Sequence, residues 1–389
     1  MHNNIEPTFR EIILNYYTSS QNDIFENHIF DELRQKKMNE IGASLLISSI
    51  TQKDKTQTNS ICKYFINSCN KFYPAGWEEK PYGIEDIDHG SYGTVTTMIC
   101  AYSILEAVQS NLLEKSIKEK SILILHKIFD SIYFLENKGY IKKNLINKSK
   151  VFNTDLLAAF VSSEYIKLIN KNSVRWRLFN EMSLRCVNRT ISHQLPNGAF
   201  RYHDLSLGIP ILYQAMCSSL LFSLSSNIKH PFIYESARKG AKYFLKFYNL
   251  NSFKIDWDKA NCYDKSGSIW IYGWIPTILE NMKLEKYANN LISHLLESQS
   301  KDGILIPSKI DKNLSVTKDK FYTAMLLTSF VMSKKSITKN KSSKIYVFLN
   351  NLIFSIVGSF NFLRCINSQV FRKTKNLLYP SGALENEEW

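Results

Sequence analysis

The sequence predicts an all-α protein made of repeated helical hairpins, and three observations carry that expectation. Apolar residues recur at i, i+3, i+4 and i+7 along nearly every long segment of the 389-residue chain, the spacing that lines one face of a helix. Stretches that alternate with the period of a strand are scarce. A short polar turn containing glycine returns at Gly76, Gly139, Gly198, Gly303 and Gly382. With a degraded copy near residue 252, the intervals up to Gly303 are 63, 59, 54 and 51 residues, and the last is 79. Such an interval holds two helices of about eighteen residues and two connections.

In chain order the helical spacing covers 27–50, 56–72, 91–110, 118–135, 154–170, 174–194, 205–227, 231–248, 268–282, 284–298, 320–333 and 343–363. The recurring turns are KFYPAGWEE (71–79), LENKGYIKK (135–143), HQLPNGAFRY (193–202), ESQSKDGILIP (297–307) and LLYPSGALEN (377–386). FYNLNSFKIDW (247–257) is the copy that lacks glycine. Glycine supplies the left-handed backbone at the end of an outer helix, and the apolar residue just after it packs back under the turn. Five or six such hairpins in series close most economically into an α/α toroid, with inner helices around an axis and outer helices around them. An open solenoid is the competitor. Closure is favoured because YPAGW and YPSGA are the two most similar copies, as adjoining first and last hairpins would be. No polar capping repeat is evident. Residues 1–55 are expected to form an N-terminal helical extension packed on the toroid. Residues 56–389 are expected to form the toroid itself, including a basic C-terminal segment, 334–376.

Composition narrows the function classes. The seven cysteines are an odd number without CxxC or CxxH spacing, which argues against a disulfide framework or a structural zinc site. MHNNIEPTFREIILNYY lacks the basic and apolar regions of a secretion signal, so a cytoplasmic location is expected. The net charge is +14, and Lys320–Leu384 holds ten Lys or Arg and no Asp or Glu. Within that stretch 345–363 is long enough to span a membrane, but three asparagines and two serines make it a poor candidate. A buried helix is the plain reading. The sharper one is docking of 334–376 on an anionic inner-membrane surface. Nucleic-acid binding is not expected, because no basic-aromatic motif appears elsewhere. No phosphate loop, dinucleotide fingerprint, GxSxG or HExxH occurs, and no cofactor or metal is expected.

In a toroid the loops that lead into the inner helices line one mouth of the central cavity. Acids precede five of these helices: Asp86 and Asp88, Asp155, Asp204, Asp264, and Asp319. Each suits a helix N-terminus and is explained by capping alone. Two places hold more than capping needs. WEEKPYGIEDIDHGSYG (77–93) packs five carboxylates, a histidine, two tyrosines and a tryptophan into 17 residues. Crowded carboxylates push each other's pKa values apart, which is what paired acid and base work on a glycosidic bond requires. Asp86, Asp88 and His89 are the candidates there, with Trp77 and Tyr92 as flanking binding residues. The second place is Tyr202-His203-Asp204, where an imidazole beside a carboxylate is a plausible proton carrier and Tyr202 a binding residue. Trp270 and Trp274 share a helical face. With Tyr322 and Asp155 they complete the expected substrate-binding set.

The turn Q-x-x-(D/N)-G-(aromatic or aliphatic) in Gln194–Phe200 and Gln299–Ile304 resembles that of α/α-toroid proteins, among them glycoside hydrolases, polysaccharide lyases, sugar epimerases and terpenoid cyclases. The longest similar stretch is 266–305, whose aromatic-Gly-Trp segment, outer helix and Q-x-x-D-G turn resemble unsaturated-glycoside hydrolases. The motif is degenerate and names no single family. The resemblance implies a glycan-acting hydrolase, lyase or epimerase using carboxylate and histidine acid-base chemistry, with a role in bacterial surface-polysaccharide biosynthesis. A non-catalytic toroid that binds a glycan or glycolipid at the membrane is the alternative, and a terpenoid or peptide cyclase the lesser one.

Overall fold

A computed structural model describes residues 5–18, 30–31, 36–78, 92–143, 150–204, 209–260, 268–314 and 318–333. The inner helices are α2 (Asn39–Thr51), α4 (Thr94–Gln109), α6 (Phe152–Tyr165), α8 (Ile211–Asn227), α10 (Ile275–Asn281, preceded by a 3-10 turn over Ser268–Gly273) and α13 (Lys320–Ser333). Each packs on the next, and α13 packs on α2, so the ring closes. Outside them lie α3 (Lys55–Ser68), α5 (Lys115–Leu135), α7 (Val174–Ser192), α9 (Ile233–Phe244) and α11 (Glu285–Glu297), each against the inner helix before it. A four-residue turn of helix, α12 (Pro307–Ile310), leads toward α13. Among the described residues strands amount to two antiparallel ladders, β1 (Phe30–Asp31) with β2 (Lys36–Lys37), and β3 (Glu136–Asn137) with β4 (Tyr140–Ile141). The chain is an α/α toroid, as its periodicity predicts.

The two rings differ in chemistry because they differ in burial. Every residue of α6 is buried, so this inner helix has no exposed face; Asp155, Ser163 and Glu164 are bonded inside the protein, whereas Asn153 Oδ1, Thr154 Oγ1 and Ser162 Oγ have no partner among the described residues. Outer helices bury one stripe, as α9 does with Ile233, Ala237, Ala241 and Phe244 and α11 with Ala288, Leu291, Ile292 and Leu295, the spacing of a single helical face. The segment expected as one helix over 268–282 is broken. Gly273 carries the 3-10 turn so close to α13 that an added Cβ would stand 2.3 Å from Leu326 O, and Pro276 then starts α10.

The repeated turn explains how the N-terminus is used. Gln194 Nε2 donates to Gly198 O (2.9 Å) and to Ser236 O on α9 (3.0 Å), and Ser236 Oγ donates to Gln194 Oε1 (2.8 Å). Gln299 Nε2 donates likewise to Gly303 O (2.8 Å) and to Ile12 O on α1 (Ile5–Thr18; 3.0 Å), while Asn15 Nδ2 donates to Gln299 Oε1 (3.0 Å). Gly198 (φ +92) and Gly303 (φ +72) press on the same partner, a backbone carbonyl of the following outer helix: Lys239 O in one case and Asn15 O in the other. α1 therefore fills the outer place after α11, against α11 and α2. Residues 1–55, expected as an extension packed on the toroid, supply this outer helix and the inner helix α2. In the copy without glycine Phe253 takes the positive φ (+57). Gly382 and the basic segment 334–376 lie outside the described residues. No described helix is long and apolar enough to cross a membrane.

Candidate functional site

The inner helices share a register that builds the site. The fourth residue of four of them holds the backbone N–H of the residue just past each repeated turn. Trp77 N donates to Thr97 Oγ1 (3.1 Å), Ile141 N to Asp155 Oδ1 (2.7 Å), Phe200 N to Gln214 Oε1 (2.7 Å) and Leu305 N to Thr323 Oγ1 (3.1 Å). A buried N–H without a partner is costly, so each polar residue fixes its turn on its helix. With the fourth residue pointing outward to the turn, the second, third and sixth face the axis.

Those positions line a cavity of about 240 Å³ at the N-terminal mouth of the inner ring. The second residues are Val95, Asn153, Leu212 and Phe321, and the sixth are Ile99, Leu157, Met216 and Met325. The third are Thr154, Tyr213 and Tyr322, whereas Thr96 of α4 turns to bond Glu40. Tyr202, Trp270 and Trp274 complete an aromatic wall in which the Tyr202 and Tyr213 rings lie 5.0 Å apart and the Tyr213 and Trp270 rings 6.0 Å. Burial and the neighbouring Tyr202 lift the Tyr213 phenol well above its ordinary pKa, so it stays protonated. Among the described residues the lining carries one charged side chain, Lys143. Deeper down, Tyr102 packs on Phe160 (5.6 Å between rings) and its hydroxyl donates to Val331 O of α13 (3.4 Å), bridging the ring past α2.

Of the residues expected from sequence, Tyr202, Trp270, Trp274 and Tyr322 meet on this cavity. Trp77 does not. It is buried in the core edge-on to Phe65 (5.4 Å), and its Nε1 donates to Ser68 Oγ. Tyr92 is also buried away from the lining, beside Gly76. Asp155 clamps a turn and is not among the lining residues. Its second oxygen is taken by Arg189, whose guanidinium also donates to Lys150 O (3.0 Å) and lies 4.5 Å from the Phe152 ring centre. Burial pushes the Asp155 carboxyl up to about 8, against the pull of Arg189 and of the Ile141 N–H. His203 is half-buried in a bridge with Val151 and is not part of the lining. Asp204 sits 3.9 Å from Lys150 Nζ and 4.0 Å from Arg189 Nη2, so its charge is balanced by these two cations. Asp86, Asp88 and His89 lie outside the described residues.

Sequence reading missed Asn153, Thr154, Tyr213 and the methionines of the lining. It also missed Glu40, a buried carboxylate at the second position of α2, bonded by Thr96. Once the inner helices are superposed on their fourth residue, all of these fall in the register that faces the axis.

No family profile matches the chain, and no curated protein matches it by sequence. Solved structures do match. A D-mannose isomerase aligns over 85% of this chain and 97% of its own with TM-score 0.58 and 9% identity. A family 76 glycoside hydrolase, an alpha-mannanase of Bacteroides thetaiotaomicron, aligns over 85% and 96% with TM-score 0.57 and 10% identity. A family 105 glycoside hydrolase of Clostridium acetobutylicum aligns over 84% and 99% with TM-score 0.54 and 13% identity. At such identities the likeness is one of fold, the α/α toroid.

Proposed function

We propose that this protein is a glycan-acting enzyme whose substrate enters the mouth cavity and reacts by proton transfer at its rim. The observation that carries the reading is the cavity wall, in which Tyr202, Tyr213, Trp270 and Tyr322 gather at one mouth of a closed ring. Aromatic faces bury the apolar face of a sugar ring, and polar handles between them fix its orientation. The toroid neighbours, a D-mannose isomerase and glycoside hydrolases, support the same substrate class.

The chemistry belongs to the loops that enter the ring. The 86–89 stretch leads into α4, whose second and sixth residues line the cavity, so Asp86, Asp88 and His89 are the acid-base groups in this reading. His203 and Asp204 directly follow Tyr202 of the wall; His203 is the second proton carrier of this reading, and Asp204 is paired with Lys150 and Arg189. Hydrolysis and isomerisation both need a proton delivered to one oxygen and removed from another position.

The test is product analysis by chromatography after incubation with a panel of neutral and acidic oligosaccharides and free sugars. The expected result is turnover of at least one of them, reduced about a hundredfold or more in Asp88→Asn or His203→Ala. Saturable binding without turnover assigns the alternative, a non-catalytic glycan-binding toroid. No binding and no turnover refutes both.

A further inference from the structure

We infer that the cavity admits one pyranose ring, free or at the end of a glycan, and reads its hydroxyls through Asn153, Thr154 and Trp274. This rests on the carbohydrate reading and goes beyond it by fixing how much of a glycan enters. The cavity of about 240 Å³ is smaller than the pockets that take drug-sized ligands, which suits one sugar ring rather than two joined rings. Below the lining, Tyr102 and Phe160 are fully buried, and Tyr102 is tied to α13. A chain therefore cannot thread through the ring, and only a terminus enters.

Three lining side chains carry buried polar atoms with no partner among the described residues: Asn153 Oδ1, Thr154 Oγ1 and Trp274 Nε1. Their residues are 8%, 1% and 2% exposed. Together they offer an acceptor, a group that does both, and a donor. A ring of hydroxyls, each able to donate and accept, satisfies all three; an apolar ring satisfies none, and burying them beside one would leave them unpaired. Tyr213 and Trp270, their rings inclined by 51° to each other, offer aromatic faces for the apolar face of a pyranose.

The experiment is titration of the full chain, followed by tryptophan fluorescence and calorimetry. The probes are free D-glucose, D-mannose and D-galactose, their methyl glycosides, linear oligosaccharides of the same sugars, and a cyclic oligosaccharide that has no end. The expected result is that at least one sugar binds as the free ring or methyl glycoside within about tenfold of its linear oligomer, while the cyclic probe does not bind. A free sugar that binds when its methyl glycosides do not assigns a free monosaccharide ligand; equal binding assigns a chain end. Thr154→Val and Asn153→Leu each weaken binding about tenfold with an unchanged unfolding midpoint. Retained affinity in both variants overturns the assignment of these residues. Binding of oligomers or of the cyclic probe without binding of any monosaccharide overturns the single-ring inference and leaves the glycan reading standing. No binding by any probe overturns both.

Discussion

Replacing Gly303 by alanine tests the way the ring is closed. The added Cβ would stand 2.4 Å from Asn15 O and 2.5 Å from Tyr16 Cα, about 1 Å inside ordinary contact. Backbone cannot yield there as a side chain would, so α1 and the turn must separate. Separation breaks the bonds from Gln299 Nε2 to Ile12 O and from Asn15 Nδ2 to Gln299 Oε1, both 3.0 Å, at about 1 kcal/mol each. Alanine at φ +72 adds about 1 kcal/mol or more of backbone strain. The expected loss is therefore about 3–4 kcal/mol, read as a lower midpoint in equilibrium urea unfolding. Limited proteolysis of the variant should also cut first near residue 18, where α1 ends. A loss below about 1 kcal/mol, with the N-terminal segment no more sensitive than in the parent, would refute the claim that α1 completes the outer ring.

Three further outcomes follow from the same geometry. Asp155→Asn should remove a pH slope. The folded carboxyl holds its proton up to about 8, against an ordinary 3.8, so its stabilising contribution is complete below 3.8 and is lost as pH rises toward 8. Relative to the variant, the parent should lose at most about 1.4 kcal/mol per pH unit across that window, and a parent that gains stability with pH there would contradict the burial argument. Gln214→Leu leaves the Phe200 N–H and C=O without their partner and should cost about 2–4 kcal/mol in urea unfolding; a cost near zero would show that the turn needs no clamp. Trp270→Ala removes half of the Tyr213–Trp270 wall and should weaken sugar binding about tenfold or more by calorimetry, and unchanged affinity would move the sugar elsewhere.

The hairpin repeat was legible because its turns need special backbone. Gly139, Gly198 and Gly303 all take positive φ, and the sequence marks each with glycine. The role of α1 was not legible, since nothing in Ile5–Thr18 names its distant partner, the turn at Gln299. The aromatic wall was half legible. Trp270, Trp274, Tyr202 and Tyr322 stand out by size, but Trp77 and Tyr92 are equally large and fill the core instead, and size alone cannot separate the two uses. Asp155 looked like a ligand because acids precede inner helices. Its equivalents Thr97, Gln214 and Thr323 share no chemistry beyond accepting one N–H, so their common register emerges only once the helices are superposed. Asn153, Thr154 and Tyr213 escaped notice because a helix buried on every side shows no polar face to mark its lining.

The most direct test of the account is a crystal structure of the chain soaked with a sugar that binds in solution. The account predicts one pyranose ring in the mouth cavity, stacked on Trp270 and Tyr213, with hydroxyls within hydrogen-bond distance of Thr154 Oγ1 and Trp274 Nε1. A sugar held on the outer surface, with the cavity closed by its own side chains, would contradict it.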